Sequence, residues 1–156
     1  PIEEVEDTYE ALVARARNYQ PDARLLGVQV QELIDLDDGV ETIVGMNRDP
    51  QFGPLVLFGL GGVFVEVLED TTVRVAPLSE AEAAGMLEDI DSTPLLRGAR
   101  GREPVDEAGI VETIQRLSQL VVDFPAIVEL DINPLVATAD GVVAVDIRLT
   151  VDPETL

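Results

Sequence analysis

The sequence contains no cysteine, no histidine and no lysine, and only 4% of it is aromatic. Without cysteine there is neither a disulfide framework nor a thiolate metal site. Without histidine the chain lacks the commonest general base and the usual zinc ligand, and it cannot itself carry a phosphohistidine. All ten basic residues are arginine, against 31 acidic ones, for a net charge of -21. That balance argues against nucleic acid and anionic membrane as partners, because both require a basic patch. No apolar run is long enough to span a bilayer, and the first residues, PIEEVEDTYE, are acidic rather than a signal peptide, so a soluble cytoplasmic protein is expected. Lysine depletion beside an acidic excess also fits a halophile, whose salt-loaded cytoplasm screens self-repulsion.

What is present outweighs these absences. Hydrophobic residues make up 46% of the chain and the mean hydropathy is +0.18, more apolar material than a disordered acidic chain carries. At 156 residues it fits one domain, or one lobe of a larger one.

The most informative stretch runs from Glu129 to Arg148, ELDINPLVATADGVVAVDIR. It reads as two strands joined at Asp140-Gly141, a strong hairpin signal. With a two-residue loop Ala139 pairs with Val142, which sets Asn133 opposite Arg148 and diagonal to Asp146. Alternation then gathers Glu129, Asp131, Asn133, Asp146 and Arg148 on one face and Leu130, Ile132, Val143, Val145 and Ile147 on the other. Oxygen donors close together on rigid strands suit a hard cation such as Mg²⁺, which one or two carboxylates hold together with substrate phosphates. A solvated sheet face on an acidic protein is the competing reading. Pro134 cannot donate to the ladder and belongs at an edge or bulge.

Elsewhere the spacing of Ile2, Val5, Tyr9, Leu12, Val13 and Ala16 predicts a helix closed by Pro21. Leu25 to Ile34 alternates as a half-buried strand, and Val40 to Arg48 reads as another. Asp49 to Pro54 is turn chemistry. Leu55 to Phe58 reads as a strand buried on both faces and leads into Gly59-Leu60-Gly61-Gly62, either a bend or a close approach to phosphate or another chain. Val63 to Val67 and Val73 to Val75 read as short strands. Ser79 with Glu82 forms a capping box for a short helix, and Asp106 caps a longer one with Ile110, Ile114, Leu117 and Val121 on its buried stripe. Arg97, Arg100 and Arg102 cluster in the loop between them, as an anion or partner site or as local neutralisation of an acidic surface. The order of elements predicts an α+β fold, an antiparallel or mixed sheet backed by helices, in a single domain over residues 1–156.

The blocks VQELIDLDDGVETIVGMNRDPQFGPLVLFGLGGVFVEVLED, RVAPLSEAEA, PLLRGARG and LSQLVVDFPAIVELDINPLV, in that order, resemble the ATP-grasp portion of the ADP-forming acetate:CoA ligases, relatives of succinyl-CoA synthetase β subunits. The resemblance implies the C-terminal lobe of an ATP-grasp domain whose N-terminal lid lobe is absent. It implies a hinge at Gln31-Glu32-Leu33 whose backbone meets adenine, with Glu41 next along the nucleotide cleft. It implies Asn133 and Asp146 as the Mg²⁺ pair, Gly61 and Gly62 in a glycine loop, and Arg74 as a phosphate or carboxylate partner. The reaction implied for a whole enzyme makes ATP from acyl-CoA, ADP and phosphate through a phosphohistidine on a CoA-binding domain or subunit. The lysine that ATP-grasp lids place on the phosphates is missing, so the 156 residues alone are expected to bind Mg-ATP poorly and not to turn over. A synthetase-like lobe of a protein acetyltransferase and a non-catalytic interaction module are the alternative readings.

Overall fold

The computed structural model describes residues 2–34, 39–61, 70–101 and 103–153. They belong to two units, residues 1–34 and residues 35–156. The first consists of helix α1 (Ile2–Tyr19), closed by the Gln20 amide donating to the Ala16 carbonyl at 2.9 Å, and a stretch after it that has a turn at 21–22 and otherwise no regular structure. The strand expected over Leu25 to Ile34 does not form. Its alternation is intact, but no strand pairs with it among the described residues, and Leu26 and Val30 are 86% and 90% exposed. Backbone without a ladder partner leaves its amides and carbonyls to water.

The second unit contains β1 (Val40–Asp49), β2 (Gly53–Leu60), β3 (Thr71–Val75), α2 (Glu80–Asp89), α3 (Thr93–Leu96), α4 (Glu107–Asp123), β4 (Ile127–Thr138), β5 (Gly141–Ala144) and β6 (Ile147–Val151). The strands form one antiparallel sheet in the order β3-β2-β1-β4, with β5 and β6 both paired to the far side of β4. This is the α+β class that the sequence predicts. The expected strand Val63 to Val67 lies outside the described residues. The β1–β2 hairpin turns where the Asp49 carboxylate accepts the amides of Gln51 at 2.7 Å and Phe52 at 2.9 Å, and Gly53 takes a φ of +81°.

Among the described residues of the second unit, the helices pack on one face of the sheet. The Ser79–Glu82 capping box starts α2 and Asp106 caps α4 by accepting from the Gly109 amide, so both helices begin where their sequences set them. Ile110, Ile114, Leu117 and Val121 of α4 and Ala83, Met86 and Leu87 of α2 pack on Val44, Met46, Val56, Phe58, Leu130 and Ile132. Arg48 ties this layer to the sheet, donating to the carbonyls of Ile127 at 3.0 Å and Val121 at 2.8 Å. Consequently β2 is not buried on both faces. Val56 and Phe58 are in the core, while Leu55 and Leu57 look out from the uncovered face.

The hairpin turns one residue earlier than Asp140-Gly141. Its loop is Ala139-Asp140, and Thr138 pairs with Gly141. The Thr138 hydroxyl donates to the Gly141 carbonyl and accepts the Asp140 amide, both at 3.2 Å, and Gly141 adopts a φ of +146°. This side-chain clamp competes with the Asp-Gly turn and wins. Farther along, Thr42 pairs with Leu135 but Val44 pairs with Ile132, so Ile43 faces two residues, Asn133 and Pro134. That is a β-bulge. It reverses the phase of β4: Leu130 and Ile132 reach the core before it, Leu135 and Ala137 after it.

Thr42 is fully buried and its hydroxyl donates to the Leu135 carbonyl at 2.8 Å, right at the bulge. Thr42→Val is isosteric but leaves that carbonyl short of a donor. The expected loss is about 1–3 kcal/mol, read by urea unfolding. A variant as stable as the parent would show that the bulge does not depend on this bond.

Candidate metal and nucleotide site

The uncovered face of the sheet is built by register. Asp131 on β4 lies between Gly45 on β1 and Arg148 on β6, and Glu129 lies between Asn47 and Thr150. The Thr150 hydroxyl donates to the Glu129 carboxylate at 3.3 Å. Ile132 pairs with Ile147 and Leu135 with Ala144, so counting inward from both sides sets Asn133 directly across from Asp146. Two backbone bonds hold them there: the Asn133 amide donates to the Asp146 carbonyl at 3.1 Å and the Val145 amide to the Pro134 carbonyl at 3.0 Å. β5 and β6 are interrupted at Val145–Asp146, opposite the bulge of β4, which preserves the register across both breaks.

Two expectations change. Asn133 faces Asp146 rather than Arg148, and Arg148 faces Asp131. The apolar stripe is also broken, because Val142, not Val143, packs against the core beside Ala137. The earlier turn accounts for the first change, since moving the loop back by one residue moves every cross-strand partner by two. The bulge of β4 accounts for the second, because an alternation count across it is wrong by one residue on the far side.

The electrostatics follow from this crowding. Burial pushes the Asp131 carboxyl above its ordinary value; Arg148 draws it back, while Glu129 and Asp146 push it further up. Three carboxylates and one guanidinium thus share a small area, and a cation brought there relieves their repulsion. Among the described residues no group of three or more Asp, Glu, His or Cys is arranged to hold a metal unaided. The arrangement suits a cation that also takes oxygens from its substrate.

Toward β3 the same face becomes apolar. A shallow groove of about 300 Å³ is lined by Leu55, Leu57, Val73 and Gly45 and ends at Glu129 and Asp131. A Cβ at Gly45 would lie 3.5 Å from the Asp131 carboxylate, so glycine here keeps the groove open. Spacing alone does not single out Asp131 or Gly45. The signal available was the alternation of Glu129, Asp131 and Asn133 on β4.

The remaining sequence-selected residues are distributed as follows. Glu41 lies on β1 in phase with Gly45, and its carbonyl accepts the Gly61 amide at 2.7 Å. A Cβ on Gly61 would come within 3.0 Å of the Glu41 backbone, which explains that glycine by strand packing. Gly59 is tighter still, since a Cβ there would meet the Asp70 carbonyl at 2.6 Å. Gly62 lies outside the described residues. Glu32 and Leu33 belong to the first unit, exposed in the stretch after α1. Arg74 is not on the acidic face. It pairs with Val56, a core residue, and its guanidinium binds Asp89 of α2 at 2.5 Å on the helix side. Arg97 is spent on Glu88 and Glu107, which favours local neutralisation over an anion site.

Comparison with known proteins fits this architecture. Residues 2–151 match the ATP-grasp domain family, and the chain belongs to it. It is 46% identical over 147 residues to the acetate–CoA ligase (ADP-forming) I subunit beta of Pyrococcus furiosus, covering 94% of this chain and 62% of that one. Among solved structures it is similar to the dinucleotide-forming acetyl-coenzyme A synthetase 1 of Ca. Korarchaeum cryptofilum. In the complex with coenzyme A, acetyl-coenzyme A and a phosphorylated phosphohistidine segment, the TM-score is 0.88 at 43% identity, over 96% of this chain and 66% of that one. A second complex of the same enzyme holds coenzyme A and Mg-AMPPCP, with its phosphohistidine segment pointing towards the nucleotide binding site. There the TM-score is 0.71 at 48% identity, over 72% of this chain and 53% of that one. The chain therefore spans less than two thirds of the length of these relatives.

Proposed function

We propose that this chain is the nucleotide- and Mg²⁺-binding part of an ADP-forming acyl-CoA synthetase, acting on acetyl-CoA in the cytoplasm of a salt-rich cell. The observation that carries the reading is the pairing of Asn133, at the bulge of β4, with Asp146, in the gap between β5 and β6. Asn133 contributes a neutral amide oxygen and Asp146 a charged one, both on stiff backbone, and their donor chemistry fits Mg²⁺. When bound, the ion neutralises phosphate charge. The residues of the chain do the rest: Glu129 and Asp131 repel a nucleotide that arrives without its cation, and Gly45 leaves room beside Asp131 for the phosphoryl acceptor. In the second unit Glu41 and Gly62 are assigned to the nucleotide, with Gly61 beside them already accounted for by its packing on Glu41; the backbone at Glu32 and Leu33 is assigned to adenine as a separate reading of the first unit.

Phosphoryl transfer needs mostly positioning and charge neutralisation. The acceptor histidine has to come from a CoA-binding domain or partner subunit, because this chain has none. A ligand that needs its own cation also fits a surface charge of -21.

The test is an amide NMR titration of the 156-residue chain with AMPPCP, with and without Mg²⁺. Mg²⁺-dependent shifts are expected at residues 131–134 and 145–148, with an affinity weaker than micromolar because part of the nucleotide site is missing. Shifts confined to other acidic stretches, or a micromolar affinity, would overturn the assignment.

A further inference from the structure

We propose that Arg148 binds the terminal phosphate of the nucleotide, and so lets the site tell a nucleoside triphosphate from a diphosphate. The inference rests on the Mg²⁺ assignment to Asn133 and Asp146 and adds a cationic side chain to it. Other arginines of the second unit are engaged within the fold. Arg48 donates to two backbone carbonyls, Arg74 binds Asp89, Arg97 binds Glu88 and Glu107, and Arg116 binds Glu112. Arg148 is different. Register sets it directly across from Asp131, yet among the described residues it makes no ion pair and no hydrogen bond. Its charge is felt all the same, since it opposes the rise that burial, Glu129 and Asp146 impose on the Asp131 carboxyl. A guanidinium that stands beside carboxylates without clasping them keeps its donors open to a further anion. Its planar fork matches phosphate oxygens two at a time.

Position selects the phosphate. Arg148 lies two residues beyond Asp146, roughly 6–7 Å along extended chain, and both act on the Asp131 carboxyl, so both stand on the uncovered face. An ion that serves phosphoryl transfer bridges the last two phosphates of a nucleotide. Held by Asn133 and Asp146, it leaves one of them on the side toward Asp131, which lies between Arg148 on β6 and Gly45 on β1. Gly45 is where the face stays open, and an acceptor that enters there has to reach the terminal phosphorus. The terminal phosphate therefore faces Arg148. The ion and the guanidinium then share the charge of one phosphate, a contact that a diphosphate does not make.

Isothermal titration calorimetry of the full-length protein tests this with two probes, AMPPCP and AMPCP, each in MgCl₂. Arg148→Gln is expected to weaken AMPPCP about 10- to 100-fold, the scale of a lost contact between charged groups. It should weaken AMPCP less than about threefold, the scale of an exposed charge acting without contact. Retained AMPCP binding also shows that the variant is folded. Arg148→Lys should recover part of the discrimination, because it keeps the charge and loses the fork. Arg116→Gln removes an exposed charge from α4 and should leave both affinities unchanged. Equal weakening of the two nucleotides by Arg148→Gln would mean that Arg148 only offsets the carboxylates around it, and would overturn the proposal. A parent that needs Mg²⁺ for AMPPCP and a variant that binds both probes as the parent does would overturn the proposal alone. A parent that binds AMPPCP equally well in MgCl₂ and in EDTA would overturn the Mg²⁺ assignment, and the proposal with it.

Discussion

Under the metal assignment proposed above, replacing Asp146 by alanine in the full-length protein is expected to lower turnover about 100- to 1,000-fold, comparable to the cost of removing one preorganised group that stabilises transition-state charge. The fold should not suffer. Asp146 is one of the charges that hold the Asp131 carboxyl above its ordinary value, so its removal lets that group titrate closer to normal. A carboxyl whose folded-state pKa is raised binds more protons folded than unfolded, so stability falls as pH rises from the unfolded value through the folded one. Asp146→Ala should make that fall smaller, visible as a flatter dependence of melting temperature on pH above the ordinary carboxylate range. Turnover within tenfold of the parent would remove Asp146 from the site. A variant that loses both activity and stability would assign it to the fold instead.

The second large effect is salt. Ten arginines cannot neutralise 31 carboxylates. Some arginines are also committed elsewhere, Arg48 to backbone carbonyls and Arg97 to two glutamates at once. Screening lengths shrink from about 10 Å at 0.1 M to about 3 Å at 1 M salt. Raising KCl from 0.05 M to 2 M is therefore expected to raise the melting midpoint by roughly 10 °C, given how far one kilocalorie moves a domain of this size. The gain should shrink near pH 4, where the carboxylates are partly protonated. Indifference to KCl at neutral pH would show that the acidic surface is tolerated without help from salt.

The two effects meet at Asp131. Salt screens the same repulsion that a site-bound cation relieves, so molar KCl should narrow the difference in melting temperature between Asp146→Ala and its parent. The Arg148 guanidinium works in the same direction from the neighbouring strand, and it does so because register sets it opposite Asp131.

Much of this protein was legible from its residues alone. Local signals with short reach came through: the Ser79 and Asp106 caps, the stripe of α4 and the turn at Asp49. Each depends on contacts a few residues apart. Tertiary structure decided the matters that depend on a neighbour. It moved the hairpin turn through the Thr138 clamp, which brought Asn133 opposite Asp146, and it reversed the phase of β4 at the bulge beside Thr42. It turned Arg74 toward Asp89 because β3 lies over α2. It left residues 25–34 without a strand partner among the described residues, since alternation specifies a strand's faces and cannot provide the second strand that makes it one.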